Sequence, residues 1–275
     1  MLERTSSAPH SNERLAARRR TNRRRALIAL CVIILVLCAG IVYELRQSAT
    51  RITTIEVFNA DQSLASIVSN AMQGNYFGLI PRDSTFFFPA TRIRTDILTA
   101  HPDIAAVSLF RNGLTGLSVK INSRVPIARW CGLAPTVGVA EYCYVFDANG
   151  FIFATDATST QPINTFTLYA PLQGGTLEPL RATVMYADKL PAVFDFARQL
   201  DTLGSPVTQI VFHGDEVNDY LASGTYVTYV LGNEQNAFTA LVSARENFNL
   251  GDGSIQYVDL RFDGKVYLKK VEVPK

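Results

Sequence analysis

Residues Ala26 to Tyr43 form an uncharged run of 18 residues, apolar except for Gly40, directly behind an arginine-crowded N-terminal stretch. A helix rises 1.5 Å per residue, so this run covers about 27 Å, close to the hydrocarbon thickness of a bilayer. Eleven of the 18 are Ile, Leu or Val. Each favours the membrane centre by roughly 0.3 to 0.6 kcal/mol, and no charge at about 2.5 to 3.5 kcal/mol opposes them. The run is therefore expected to be a transmembrane helix over residues 26–45. A cleaved secretory signal is the competing reading. Its apolar core would be long for that role, and the nearest small-residue site, Cys38-Ala39-Gly40, is poor. Leu37 before Cys38 argues against lipidation.

The flanks set the orientation. Arg4, Arg14, Arg18, Arg19, Arg20, Arg23, Arg24 and Arg25 precede the run, and only Arg46 and Arg51 follow it closely. The positive-inside rule then keeps residues 1–25 as a basic cytoplasmic tail and sends the chain from about Leu45 across the membrane. The expectation is a single-pass type II protein of the cytoplasmic (inner) membrane. Its arginines serve as a topology signal with some affinity for the lipid bilayer rather than as a nucleic-acid site.

The remaining 230 or so residues suffice for one large or two small domains. Beyond residue 45 there are 18 Lys and Arg against 21 Asp and Glu, a slightly acidic balance that does not favour a polyanionic partner. Cys31 and Cys38 fall within the apolar run; Cys131 and Cys143 fall outside it, twelve positions apart around a turn-rich stretch, and a disulfide between them is expected.

From Ile52 the pattern shifts to short alternating elements. A strand is expected at Ile52 to Phe58. A helix capped by Asp61 follows, with Leu64, Ile67, Val68, Ala71 and Met72 on one face. Gly74 to Pro89 reads as a long loop whose Phe86, Phe87 and Phe88 are expected in the core. A second helix runs from about Thr91 to His101-Pro102. Strands Ile104 to Phe110 and Leu117 to Asn122 flank Asn112-Gly113, a hairpin signal. The order is β-α-α-β-β, a two-layer unit. Farther on, strands alternate with two helices, Pro191 to Gly204 and about Gln235 to Phe248. The described pattern closes with Gln256 to Phe262 and Lys265 to Val271 around a tight Asp263-Gly264 turn. The expected fold class is α+β, the second part having two helices packed on a largely antiparallel sheet.

Chemistry is hard to find. No H-E-x-x-H, G-x-S-x-G, phosphate loop or dinucleotide fingerprint occurs. His101 stands at a helix end, and His213 with Asp215 and Glu216 reads as a solvated turn rather than a metal site. No catalytic residue, cofactor or metal is expected, and the chain is not expected to be an enzyme.

Five stretches carry a resemblance to a known family. Thr54-Ile55-Glu56-Val57-Phe58-Asn59 is similar to an opening POTRA strand, with Asn59 where a glycine is usual. Leu98 to Arg111, containing His101-Pro102-Asp103-Ile104, and Arg124-Val125-Pro126-Ile127-Ala128-Arg129-Trp130 resemble its transition and boundary motifs. Tyr144-Val145-Phe146-Asp147 with Gly150 looks like its first hairpin. Tyr257-Val258-Asp259-Leu260-Arg261-Phe262-Asp263-Gly264-Lys265-Val266 resembles its terminal pair of strands. In this order they resemble the bacterial cell-division family FtsQ/DivIB. The resemblance implies a POTRA-like domain over 52–124 and an FtsQ-type β domain over 125–275. It also implies a non-catalytic divisome scaffold at the division septum, bound to FtsB-like and FtsL-like proteins and, through the POTRA-like domain, to an FtsK-like protein. On the matched positions, Arg261 would donate a salt bridge to an acidic partner segment and Phe262 an aromatic contact. The backbone of Gly264, Lys265, Val266, Tyr267, Leu268 and Lys269 would accept a partner strand. A last strand is often an edge open to such addition; the competing reading is that Lys265, Lys269 and Lys270 are gatekeepers against it, and the resemblance favours addition. The alternative is a membrane-anchored POTRA protein acting in secretion or envelope assembly.

Overall fold

The computed structural model describes residues 10–135, 142–176 and 178–271; Arg4 and the rest of the first nine residues of the basic tail lie outside them. The first helix, α1, runs His10–Leu45, so the helix begins well before the apolar run and includes most of the arginine stretch. Its segment Asn22–Leu45 is long and apolar enough to cross a membrane. The chain then divides into two compact units, one of residues 1–100 and 106–121, the other of residues 101–105 and 122–275.

The first unit continues with β1 (Thr54–Phe58), α2 (Leu64–Ala71), a short ribbon of β2 (Asn75–Tyr76) and β3 (Ile80–Pro81), and α3 (Ala90–Ala100). β4 (Ile104–Asn112) and β5 (Gly116–Ser123) complete a three-stranded sheet of order β1-β5-β4. β1 and β5 run parallel, with Ile55 opposite Leu117 and Val57 opposite Val119. Leu117, Val119 and Ile121 are fully buried on alternate positions of β5, as are Leu64, Val68 and Ala71 on α2 and Ile93 and Ile97 on α3. Asn59 ends β1 at φ 64°, a left-handed conformation that asparagine tolerates better than most residues. Asp61 does not cap α2 directly: its carboxylate accepts the Ser63 N–H at 3.0 Å, and the helix starts one residue later. Phe86 and Phe87 are exposed and Phe88 lies under the Arg111 guanidinium, so the expected core role for these three is corrected. The buried residues beside them are Ser84 and Thr85; the Thr85 amide and hydroxyl donate to the Thr50 and Leu114 carbonyls and tie the loop to distant parts of the unit.

The second unit is built on a nine-stranded mixed sheet. Its strands are β6 (Ala128–Trp130), β7 (Tyr144–Phe146), β8 (Ile152–Thr155), β9 (Thr167–Tyr169), β10 (Val207–His213), β11 (Glu216–Leu221), β12 (Tyr226–Val230), β13 (Ile255–Asp259) and β14 (Tyr267–Lys270). The order across the sheet is β14-β13-β12-β11-β10-β9-β6-β7-β8. Five neighbouring pairs are antiparallel and three parallel. Helices α4 (Leu190–Asp201) and α5 (Glu234–Ala244) cover one face. Val193, Phe194, Phe196, Ala197 and Leu200 of α4 and Ala237 and Leu241 of α5 share a continuous core with Ile210, Phe212, Val217, Leu221, Val227, Tyr229 and Val258. α4 starts with proline in its first turn, where a missing N–H is harmless.

Candidate functional site at the rim of the large sheet

β14 terminates the sheet, so β13 pairs with one side of it and its other side has no neighbouring strand among the described residues. Register places Tyr267 opposite Asp259, Leu268 opposite Val258 and Lys269 opposite Tyr257. The Val271 N–H donates inward to the Ser254 carbonyl at 2.9 Å. Backbone groups alternate direction along a strand, so Lys269 and Tyr267 also face β13, and the amides of Leu268 and Lys270 face the open side.

The tight turn expected at Asp263-Gly264 is present, closed by the Lys265 N–H on the Phe262 carbonyl at 3.0 Å with Gly264 at φ 66°, but the strands on either side of it are shorter than expected. β13 ends at Asp259 and β14 begins at Tyr267, leaving residues 260–266 between them. The reason is local: the Asp259 carboxylate accepts the Arg261 backbone N–H at 3.1 Å and the guanidinium at 2.9 and 2.7 Å, which draws the chain off the ladder. The Asp263-Gly264 turn then returns it. Gly264, Lys265 and Val266 therefore lie outside the last strand, which spans Tyr267–Lys270 rather than the expected Lys265 to Val271.

Arg261 also differs from expectation. Its guanidinium is already shared by Asp259 and by Glu216 at 2.7 Å from β11. These bonds raise the Arg261 pKa, and its own hydrogen bond is the main cause holding Asp259 below the usual carboxylate range. Arg261 thus shapes the hairpin instead of presenting an unpaired charge. Phe262 is 52 % exposed and sits edge-on against Tyr267, ring centres 5.4 Å apart, so the two form an aromatic pair beside the open strand.

The sheet face away from the helices carries residues that sequence periodicity did not single out. Tyr220, Tyr226 and Tyr257 stand in register on β11, β12 and β13, with ring centres 5.5 and 5.6 Å apart, and Lys269 continues the row onto β14. Burial, reinforced by its two tyrosine neighbours, raises the Tyr226 pKa. Their spacing along the chain, 6 and 31 residues, carries no period; only strand pairing aligns them. A smaller apolar patch on this face joins Val211, Tyr169 and the Cys131–Cys143 disulfide, whose Cα atoms are 4.3 Å apart.

Elsewhere in this unit, a cleft of about 470 Å³ is lined by Ile127, Phe146, Ile163, Phe194 and Asn164. Its polar groups are engaged with one another: Asn164 donates to the Ile127 carbonyl at 3.0 Å and accepts from Arg198, which also pairs with Asp195. His213 is exposed at the end of β10, and His101 lies 3.9 Å from Asp103. Among the described residues, no group of three His, Cys, Asp or Glu is placed to hold a metal ion.

Compared with known proteins, the chain matches no family model and no curated protein. The functional reading therefore stands on its residues and their geometry.

Proposed function

We propose that this chain is a bitopic, non-catalytic adaptor of the FtsQ/DivIB kind. In this reading α1 crosses the cytoplasmic membrane with its N-terminus inside. The first unit acts as a POTRA-like domain, with an FtsK-like protein as a candidate partner, and the second recruits FtsB-like and FtsL-like proteins at the division septum. The observation that carries the reading is the open side of β14 at the sheet rim. A partner segment added there gains main-chain hydrogen bonds from Leu268 and Lys270, while alternate side chains supply selectivity. Phe262, Tyr267 and the Tyr220-Tyr226-Tyr257 row support the reading further, since tyrosine and other aromatics are enriched where protein partners dock.

The test is co-purification from membranes with FtsB-like and FtsL-like partners. Lys270→Pro removes one outward N–H and leaves the β13 ladder intact; the double change Phe262→Ala, Tyr267→Ala removes the aromatic pair. Each is expected to weaken capture about tenfold or more, equivalent to losing about 1.4 kcal/mol of binding. Undiminished capture by both variants would reject strand addition, and a fluorescent fusion spread evenly around the cell would reject the septal role.

A further inference from the structure

The 74–89 loop of the first unit is pinned along its length to the residues that leave α1. Arg46, the first residue after the helix, donates from Nε to the Leu79 carbonyl and from Nη2 to the Gly78 carbonyl, both at 3.1 Å. Arg51 pairs with Asp83 at 2.6 Å and bridges to Ser84. The Ile52 N–H reaches the Asp83 carbonyl at 2.7 Å, and the Thr85 N–H reaches the Thr50 carbonyl at 3.0 Å. Leu45 itself is buried. The loop is thus held within a few side-chain lengths of the point where the apolar helix ends.

What the loop presents there is apolar and uncovered. Phe77 is 98 % exposed, and Leu79, Phe86 and Phe87 are each about half exposed. The ribbon turn closes with a Leu79 N–H to Tyr76 carbonyl bond at 3.0 Å, and both central residues, Phe77 and Gly78, have positive φ, 50° and 72°. Asn-Gly is the usual sequence for such a turn, because a bulky side chain is strained at positive φ. Here a phenylalanine takes the asparagine place and points away from its own fold. Neither local conformation nor burial within the unit accounts for that choice.

A bilayer does. The apolar run Ala26–Tyr43 covers about 27 Å, close to the roughly 30 Å of hydrocarbon, and the charged Glu44 follows it, so the end of α1 at Leu45 lies in the interfacial layer. The segment that Arg46 and Thr50 hold beside that end then meets the same layer, where aromatic side chains are favoured. We propose that the 74–89 loop is a second membrane contact: the Phe77–Leu79 tip, with Phe86 and Phe87, inserts into the interfacial lipid at the C-terminal end of the span. Its occupant is the lipid of the bilayer that α1 crosses. The inference rests on reading Asn22–Leu45 as a membrane span and is independent of the proposed partner site on β14. Such a contact restricts how far the first unit can tilt on its anchor, because a one-point tether becomes a two-point one.

Full-length protein carrying Phe77→Trp is reconstituted into vesicles whose acyl chains are brominated near the headgroup end, and flotation after alkaline extraction reports anchoring. Trp130, the single native tryptophan, is buried, and the unmodified chain measures its contribution. Insertion is expected to lower the added emission about twofold relative to unbrominated vesicles, with a blue shift, as suits a side chain at the headgroup–acyl boundary. Phe86→Trp, in a different part of the loop, provides a second reading. Chain that floats while both added tryptophans ignore bromine and are quenched freely by aqueous iodide overturns the proposal and leaves the anchor intact. Chain that does not float removes the anchor reading and the proposal together.

Discussion

The Arg124 guanidinium is paired with the Asp147 carboxylate, and both side chains are largely shielded from water. The same guanidinium donates from Nε to the Pro102 carbonyl at 3.0 Å and lies 4.1 Å above the Phe151 ring. Asp147 in turn accepts the Asn149 and Phe151 backbone N–H groups at 2.9 and 3.1 Å, which builds the turn between β7 and β8. One ion pair therefore joins three stretches of chain at the start of the second unit. Removing one partner strands the other charge, so Arg124→Met is expected to lower unfolding free energy by about 3 kcal/mol. Urea denaturation followed by tryptophan emission measures it; a loss below about 0.5 kcal/mol, as for a surface pair, would show that water reaches Asp147 freely.

Gly150 closes that turn at φ 72°, and a Cβ there would sit 2.7 Å from the Ala187 Cβ. Conformation and contact both oppose a side chain. Gly150→Ala is expected to cost about 2 kcal/mol, and adding Ala187→Gly should recover only the steric part. Full recovery in the double variant would mean that the left-handed backbone carries no cost.

The Cys131–Cys143 bond closes a short loop, since the two are 12 positions apart. Loop-closure entropy for that length is about 3 kcal/mol. Replacing both cysteines by serine should lower stability by about that amount, and reductant should have no further effect on the variant. Alkylation of both cysteines in unreduced protein would contradict the crosslink.

Asp219 is fully buried on the helix-covered face of β11, with Tyr229 of β12 and Glu234 at the start of α5 as its ionisable neighbours. Burial raises its pKa well above the ordinary carboxylate value, and the Glu234 charge adds to this, while Tyr229 acts in the opposite sense. Between the unfolded pKa of about 4 and the higher folded value, the native state keeps a proton that the unfolded chain has lost, so rising pH erodes stability. Asp219→Asn removes that slope. Its stability relative to the parent should increase with pH from about 4 upward, by at most about 1.4 kcal/mol per unit. Comparing the two proteins cancels the opposite trend from Asp259, whose depressed pKa adds stability that is lost as pH falls. A difference independent of pH would show Asp219 to be charged throughout.

Legibility from sequence tracked the range of the interactions involved. The apolar run, the helices ending near His101 and Gly204, and most strands were readable within two or three residues, because hydrophobic periodicity is a property of neighbours. The Asp263-Gly264 turn is legible because it is local, whereas the strand ends beside it are not, because the pull of Asp259 on Arg261 takes the chain off the ladder earlier. Phe86 and Phe87 are expected inside on hydrophobicity alone, but the preceding Ser84 and Thr85 are bound to Arg51 and Thr50, and the two phenylalanines that follow are left exposed. No local pattern marks Asp219 as buried or Tyr220, Tyr226 and Tyr257 as one row.

By itself the sequence determined a long apolar helix with arginines on one flank, the alternation of strands and helices after it, and a cysteine pair close enough to bridge. Only the tertiary structure decided that β14 occupies the rim, that Arg261 is already paired, and that Phe77 stands uncovered beside the helix end. The physical reason is that side-chain period is set over a few residues. Strand order and ion-pair partners, by contrast, depend on which distant segments minimise unpaired backbone and exposed apolar surface together.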